Sequence, residues 1–266
     1  MKRSGTLTTF MRSQTSAEAW LKVMMHLLTC SDGKDFNLIV VIAKPCLEIP
    51  EATRVVDAVA RDLELKSTME NANSIWPSVF ARPGRPSDDV FADIERFAVP
   101  GIKIACKNRH DSYVERLVAW RSFEGAGKVP QLQNVLARLK QEVNNRAPKS
   151  SSYEISVFSP GVDAGYMSFP CLSHLSIKYD HHHNLVHLTA LYRNHTFLSH
   201  AYGNYLGLGR LLAFICRETR ANPGELVSIS THADAELCRG KSRIRDAVQQ
   251  MRTLLIALAP GDAVRA

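Results

Sequence analysis

Two apolar stretches flanking Asp180–Asn184 constrain this chain more than any other feature. In the first, Leu175, Ile177 and Tyr179 alternate with Ser176 and Lys178, the period of a strand with one buried face. The second, Leu185 to Tyr192, is mostly apolar and suits a strand covered on both faces. With a polar turn between them, the pair predicts a β-hairpin. A hairpin returns to its own start, so Tyr192-Arg193-Asn194 is expected beside Pro170-Cys171. A thiol, a fixed cation and a carboxamide would then share one end of a sheet.

The flanking sequence predicts a mixture of helices and strands. From Ser16 to Thr29, Trp20, Val23, Met24, Leu27 and Leu28 recur at helical spacing behind a Ser16 cap, with Glu18 nearby. Asn37–Ala43 reads as a buried strand that Pro45 ends, and Val55, Val56, Val59 and Leu63 place a second helix after Pro50. Residues 81–88 are dense in Pro and Gly and read as a loop. A third helix is expected over Val129–Val143, with Pro130 in its first turn, and residues 144–152 are a polar connection to a strand at Tyr153–Phe158. Tyr205–Arg217 reads as a strongly apolar helix ending before Asn222-Pro223-Gly224, and Glu225–Ser230 as the next strand. The expectation is an α/β (α+β) fold, a mixed β-sheet with packed helices, in one domain over residues 1–266.

At 266 residues and 45% hydrophobic, the chain can bury a substantial core. No apolar run approaches the roughly 18 residues of a membrane span, and Met1-Lys2-Arg3-Ser4 does not lead into a signal-peptide core, so a soluble, cytoplasmic protein is expected. Cys30, Cys46, Cys106, Cys171, Cys216 and Cys238 are scattered without paired spacing and read as reduced thiols, mostly packing residues. The formal charge of +7 favours an anionic partner, either a nucleotide phosphate or a nucleic-acid backbone. Charge alone cannot choose between them; the basic residues form no run and read mostly as a solvated surface, and no nucleic-acid reader motif is present.

The order Pro170-Cys171, Tyr192-Arg193-Asn194, Asn204 resembles the thymidylate synthase and pyrimidine nucleotide hydroxymethylase superfamily. There a Pro-Cys opens a strand, a Gln-Arg-Ser returns on its partner, and an asparagine follows at the interval that separates Arg193 from Asn204. The resemblance runs from Ile75-Trp76 to Glu236. It includes Tyr113 to Trp120, which looks like the family's Tyr-Gly-x-x-x-Arg-x-Trp with Val114 and Val118 at the glycine and arginine, and Pro130-Gln131-Leu132 at its Asp-Gln-Ile. Leu172 stands where a histidine commonly follows the cysteine, and the hairpin is slightly longer than usual. It implies a thymidylate synthase-like fold, a homodimer, a pyrimidine nucleotide as substrate, and one-carbon transfer to C5, as methylation or hydroxymethylation, with methylene-tetrahydrofolate as the implied donor.

In that reading the catalytic residues are Cys171, Arg193 and Tyr113. A cysteine attacks as thiolate and needs a nearby cation, which Arg193 would supply; otherwise Cys171 is a buried strand cysteine. Arg193 also suits a phosphate, with Asn194 donating to the same group. Asn204 would read the base through donor and acceptor together, leaning toward a uracil-type ring, or cap the helix that follows. The sugar segment covers Thr231 to Glu236. His232 aligned with the family's histidine puts Asp234 at its tyrosine, whereas an ungapped count puts Asp234 at the histidine and Glu236 at the tyrosine. Either way a carboxylate would accept from sugar hydroxyls, which favours a ribonucleotide.

Several family features are replaced. Ser151-Ser152 stand at the arginine pair that reaches the partner subunit's nucleotide, unless Arg146 or Lys149 substitutes; Thr196 stands at the folate aspartate; and Gly261–Ala266 replaces the closing tail. Glu51 and Asp57 are the candidates for the active-site glutamate. These departures favour, as the alternative, a catalytically diverged nucleotide-binding protein of the same fold. No metal site is expected, because three consecutive histidines, His181-His182-His183, cannot all face one ion.

Overall fold

The computed structural model describes residues 8–106, 112–121, 127–145, 150–163 and 170–258. β1 (Thr9–Ser13), α1 (Ser16–Thr29), β2 (Lys34–Ile42), α2 (Pro50–Asp62) and α3 (Thr68–Ile75) come first. α4 (Ser87–Asp93) passes through a π-turn at Ile94–Ala98 into α5 (Val99–Cys106). Then follow α6 (Tyr113–Val118), the short strands β3 (Trp120–Arg121) and β4 (Lys128–Val129), α7 (Gln131–Asn145), β5 (Glu154–Ser156) and α8 (Pro160–Asp163). The hairpin strands β6 (Leu172–Asp180) and β7 (Leu185–Tyr192) lead to β8 (His195–Thr196), a second π-turn at Phe197–Ala201, α9 (Tyr202–Thr219), β9 (Asn222–Asp234) and α10 (Lys241–Leu258).

The hairpin forms in the expected register, from Asp180 opposite Leu185 to Leu172 opposite Tyr192. Its turn is held by the Asp180 carboxylate, which accepts the amides of His182 and His183 at 2.8 and 3.3 Å, and by Asn184 at φ 53°, a left-handed position asparagine tolerates. Among the described residues the main sheet runs β1-β2-β9-β7-β6-β5, with β8 also on β9. β7 lies parallel to β9 and antiparallel to β6, but burial alternates along it, so it is paired on both edges and fully buried on one face only, not on both as expected.

One face of the sheet carries Leu38, Val40, Leu226, Leu188, Ala190, Leu175 and Ile177, all fully buried. α1 and α9 cover it. Register puts Ile39, Ile229 and Leu191 in one row of the opposite face, and Val227 and Thr189 in the next. These side chains stay partly exposed, and Phe10, opposite Ile39, is 63% exposed. Among the described residues no helix is long and apolar enough to cross a membrane.

Element boundaries depart from expectation where the tertiary structure supplies a partner. The cap of α1 is Thr15, not Ser16: its side chain accepts from the Glu18 amide, while Glu18 reaches back to the Gln14 amide at 2.6 Å. Val129 pairs with Trp120 as a strand, so α7 starts at Gln131 after Pro130. The breaker-rich loop ends two residues early, because Ser87 and Asp88 already belong to α4. The expected strand over Tyr153–Phe158 pairs with β6 at Glu154–Ser156. Asn222-Pro223-Gly224 does not interrupt the chain. It begins β9, where Asn222 and Pro223 sit opposite Leu185 and Val186. The side chain of Cys106, together with Arg146, Lys149 and the closing residues 261–266, lies outside the described residues.

α9 lies close against α3 because two of its residues lack a Cβ. A Cβ on Gly207 would stand 2.6 Å from the Ala72 carbonyl oxygen, and one on Gly203 would stand 2.7 Å from that of Thr68. Backbone cannot yield as a flexible side chain does, so Gly207→Ala is expected to lower stability by about 1–3 kcal/mol despite alanine's better helix propensity. The midpoint of denaturant unfolding checks this, and an unchanged or raised midpoint would contradict the packing.

Candidate functional site

Cys171 stands immediately before β6, where its carbonyl accepts the Arg193 amide at 3.0 Å. The β6–β7 register shifts between Leu172 and His174, and the Ser173 carbonyl turns to accept the amides of Val157 and Phe158 at 2.9 and 3.0 Å. Such a bulge bends a strand and re-aims the adjacent side chains. Arg193 is fixed to the strand that carries the thiol: its Nε donates to the Pro170 carbonyl at 3.0 Å, and its guanidinium lies 4.6 Å from the centre of the Phe158 ring.

Burial pushes the Cys171 thiol up and the Arg193 charge pulls it back, leaving it above the ordinary value. Cys46 and Cys216 are pushed up to about 11 and about 12, with Glu48 and Cys46 respectively adding to the effect of burial. They are packing thiols. Tyr113, at the start of α6, joins Cys171 and Arg193. Burial and the cysteine raise its phenol well above the ordinary range, while the amides of Leu172 and Cys171 and the Arg193 charge oppose them. Tyr113 is therefore a neutral phenol that holds its proton.

Asn204 lies deeper. The π-turn before α9 is pinned from three directions: Trp20 Nε1 donates to the Phe197 carbonyl at 2.9 Å, Asn71 Nδ2 to the Ser199 carbonyl at 2.7 Å, and the Ser199 amide to Glu236 Oε2 at 2.8 Å. This turn makes the helical entrance, so the capping role for Asn204 does not hold: the residue lies inside α9 and is 3% exposed. Its Nδ2 is 3.3 Å from His195 Nε2, and His195 Nδ1 is 3.0 Å from Ser230 Oγ. The imidazole stacks on Tyr192 with ring centres 3.9 Å apart and planes 4° from parallel. Burial, with His200 adding, pushes its pKa down to about 3, so it is uncharged at neutral pH. Sequence reasoning passed over His195, whose only signal is its place between Arg193 and Asn204.

The remaining candidates have partners of their own. Asn194 Oδ1 is 2.6 Å from His232 Nδ1, which joins two of them, and His232 packs against Phe36. Asp234 accepts the Glu236 amide at 2.7 Å and faces Lys34 Nζ at 3.5 Å. Both carboxylate oxygens of Glu236 are engaged, Oε2 by Ser199 and Oε1 by Arg239 at 2.8 Å. Thr196 Oγ1 is 2.8 Å from His200 Nδ1, and Ser199 Oγ is 2.6 Å from the same nitrogen. Ser151 and Ser152 belong to a 3-10 turn. Glu51 pairs with Arg54 at the surface, and Asp57 accepts the Thr68 amide. His181 and His183 go to separate carboxylates, Glu142 and Asp180, both at 2.6 Å.

Sequence reasoning also missed a buried ion pair behind the site. Arg116 holds Asp163 in two bonds of 2.5 and 2.8 Å and donates to the Val157 carbonyl at 2.6 Å. Gln131 Nε2 ties the Arg116 and Ser156 carbonyls together at 2.9 and 2.8 Å. The pair locks α6, which carries Tyr113, to the segment that carries Phe158. Burial pushes the Asp163 carboxyl up, but the bonds from Arg116 and the Ser159 amide, with the charges of Arg116 and Arg193, bring it below the ordinary value.

Comparison with known proteins agrees with the resemblance read from the motifs. Over 123 residues the chain is 31% identical to a Methanosarcina mazei protein named putative thymidylate synthase, covering 46% of this chain and 51% of that protein. Proteins of the same name from Methanosarcina barkeri and Methanococcoides burtonii are each 29% identical, again over 46% of this chain and 51% of theirs. The chain spans about half the length of the curated relatives it matches. No protein-family model matches it. These similarities support a distant thymidylate synthase-like relationship.

Removing one partner of the Arg116–Asp163 pair leaves a buried charge uncompensated. Arg116→Leu is thus expected to cost about 3–5 kcal/mol, and Arg116→Leu with Asp163→Leu distinctly less than the single change. The folded Asp163 titrates below its unfolded value of about 3.8, so its contribution is present above that pH and is lost as pH falls through the folded value. Asp163→Asn should flatten this acid limb, and equilibrium unfolding between pH 2 and pH 7 reads it. Additive single and double effects would show that the two groups are not coupled.

Proposed function

We propose that the chain binds a pyrimidine nucleotide and activates C5 of its base through Cys171. The observation that carries this is the meeting of Cys171, Arg193 and Tyr113 at the open end of the β6–β7 hairpin, with Asn204 held by His195 in the adjoining layer. The Cys171 thiolate would add to C6, forming an Sγ–C6 bond and moving the C5–C6 electron pair onto C5 and the ring carbonyl. Arg193 would favour the thiolate, and Tyr113 would pass protons at the ring. Asn204 would read the base edge, and Asn194 with His232 would meet the sugar or phosphate. Asp234 remains the candidate for a sugar hydroxyl, whereas Glu236 serves as a clamp on the π-turn.

The folate donor implied by the resemblance does not fit the residues present. Thr196 stands where a carboxylate would hold it, and the Thr196 hydroxyl is committed to His200. With water as the proton source, C5 exchanges hydrogen without any donor: Sγ adds to C6, C5 gains a solvent proton and loses its original hydrogen, and Sγ leaves.

A diverged nucleotide-binding protein is the second reading. It is favoured by the raised Cys171 thiol and by the serines at the arginine-pair position. Release of tritium from 5-tritiated UMP, dUMP, CMP and dCMP, with and without methylene-tetrahydrofolate, separates the two. Catalysis predicts release that Cys171→Ala abolishes. No release from any of the four, with nucleotide affinity unchanged in Cys171→Ala, would establish the binding protein instead.

The partly exposed sheet face carrying Ile39, Ile229, Leu191, Val227 and Thr189 supports a homodimer in which two such faces pack together. Leu191→Arg should convert a sedimenting dimer into a monomer without loss of secondary structure. A native chain that sediments as a monomer at all concentrations would reject this interface.

A further inference from the structure

Ser230, His195 and Asn204 form one buried relay, spaced 3.0 and 3.3 Å, in which every member is at most 3% exposed. An uncharged imidazole carries a single N–H, so the relay can run in two directions. In one, Asn204 donates through Nδ2 to Nε2, His195 donates through Nδ1 to Ser230, and the carboxamide turns Oδ1 away from the histidine. In the other, Ser230 donates to Nδ1, Nε2 donates to Oδ1, and the carboxamide turns its amino group outward. The structure has Nδ2 facing the histidine.

We propose that His195 is a positioning residue that holds the Asn204 carboxamide with Oδ1 outward, so that the site selects a base edge carrying an N–H, as uracil does at N3, over one carrying an acceptor there, as cytosine does. This rests on the base-reading role of Asn204 proposed above. With Oδ1 outward, the second Nδ2 hydrogen remains for the uracil O4. A cytosine would set its N3 lone pair against Oδ1 and its amino group against that hydrogen, two repulsive contacts at a buried carboxamide.

The ring is held on three sides. It stacks on Tyr192, meets Tyr205 edge-on at 5.8 Å, and is tilted against Phe197 at 4.9 Å. Ser230 lies on β9 opposite Tyr192 and is fully buried, so its hydroxyl is carried to Nδ1 by the same register that closes the hairpin. Reversing the relay requires the carboxamide, the ring proton and the hydroxyl to change together. That coupling is what makes the histidine a determinant of base choice instead of a filler.

The test is the ratio of affinities for UMP and dUMP against CMP and dCMP, measured by calorimetry on the full chain and on four variants. His195→Phe keeps the ring and its stacking but no hydrogen bond, and Ser230→Ala removes the anchor at Nδ1 with little change of volume. Both are expected to lower the uracil-to-cytosine ratio by about tenfold, the scale of one unpaired buried polar group, while His195→Gln retains most of it. Should His195→Phe fail to fold, Ser230→Ala decides. A native ratio in both, with Asn204→Asp still shifting preference toward cytosine, would overturn the positioning role and leave the base reading standing. No binding of any of the four nucleotides by the native chain would overturn the base reading and this inference together.

Discussion

The hydrogen bond from the Arg193 amide to the Cys171 carbonyl closes the open end of the β6–β7 hairpin, and the geometry of the site depends on its register. A slip of one residue would carry every side chain of β7 to the other face of the sheet, burying Thr189 and Leu191 and exposing Leu188 and Tyr192. The slip is resisted because β7 is shared. The pairing that puts Tyr192 opposite Leu172 on one side puts it opposite Ser230 on the other. Thiol, cation and the hydroxyl end of the buried relay are thus set by one strand.

Desolvation shapes the chemistry of this region. Burial raises the Cys171 thiol and the Tyr113 phenol and lowers the His195 imidazole, so each favours its uncharged form. Arg193 is the fixed cation among them, and its charge acts on Cys171, Tyr113 and Asp163 together. An anion placed against Arg193 would weaken the pull on the thiol. A phosphate held there and a thiolate formed there would therefore compete for one charge.

What the sequence disclosed and what it hid follow from the range of each interaction. The hairpin, α1 and α9 are legible because alternation and helical spacing act within a few residues. Tyr113 reaching Cys171 was readable through motif order alone, since no periodicity links α6 to β6. Nothing in the sequence singles out Arg116, and only folding brings Asp163 to it. Asn204 looked like a cap because Asn before an apolar run is a capping signal, whereas the π-turn that displaces the helix start depends on Trp20, Asn71 and Glu236, each distant in sequence.

That π-turn links the two ends of the site. Its wider winding adds one residue to what would otherwise be a plain helical turn, and one residue rotates everything downstream by about 100° around the helix axis. Asn204 follows within a turn, so the rotation decides whether its carboxamide faces His195 or the neighbouring α3. Such a turn is unfavourable alone and persists where its freed groups are bound, here by Glu236 at the Ser199 amide. Glu236 itself adopts a left-handed φ of 55°, held by Asp234 accepting its amide. The Glu236 carboxylate, just past the end of β9, thus belongs to the same device as Asn204. Replacing Glu236 would release the π-turn and with it the aim of the Asn204 carboxamide.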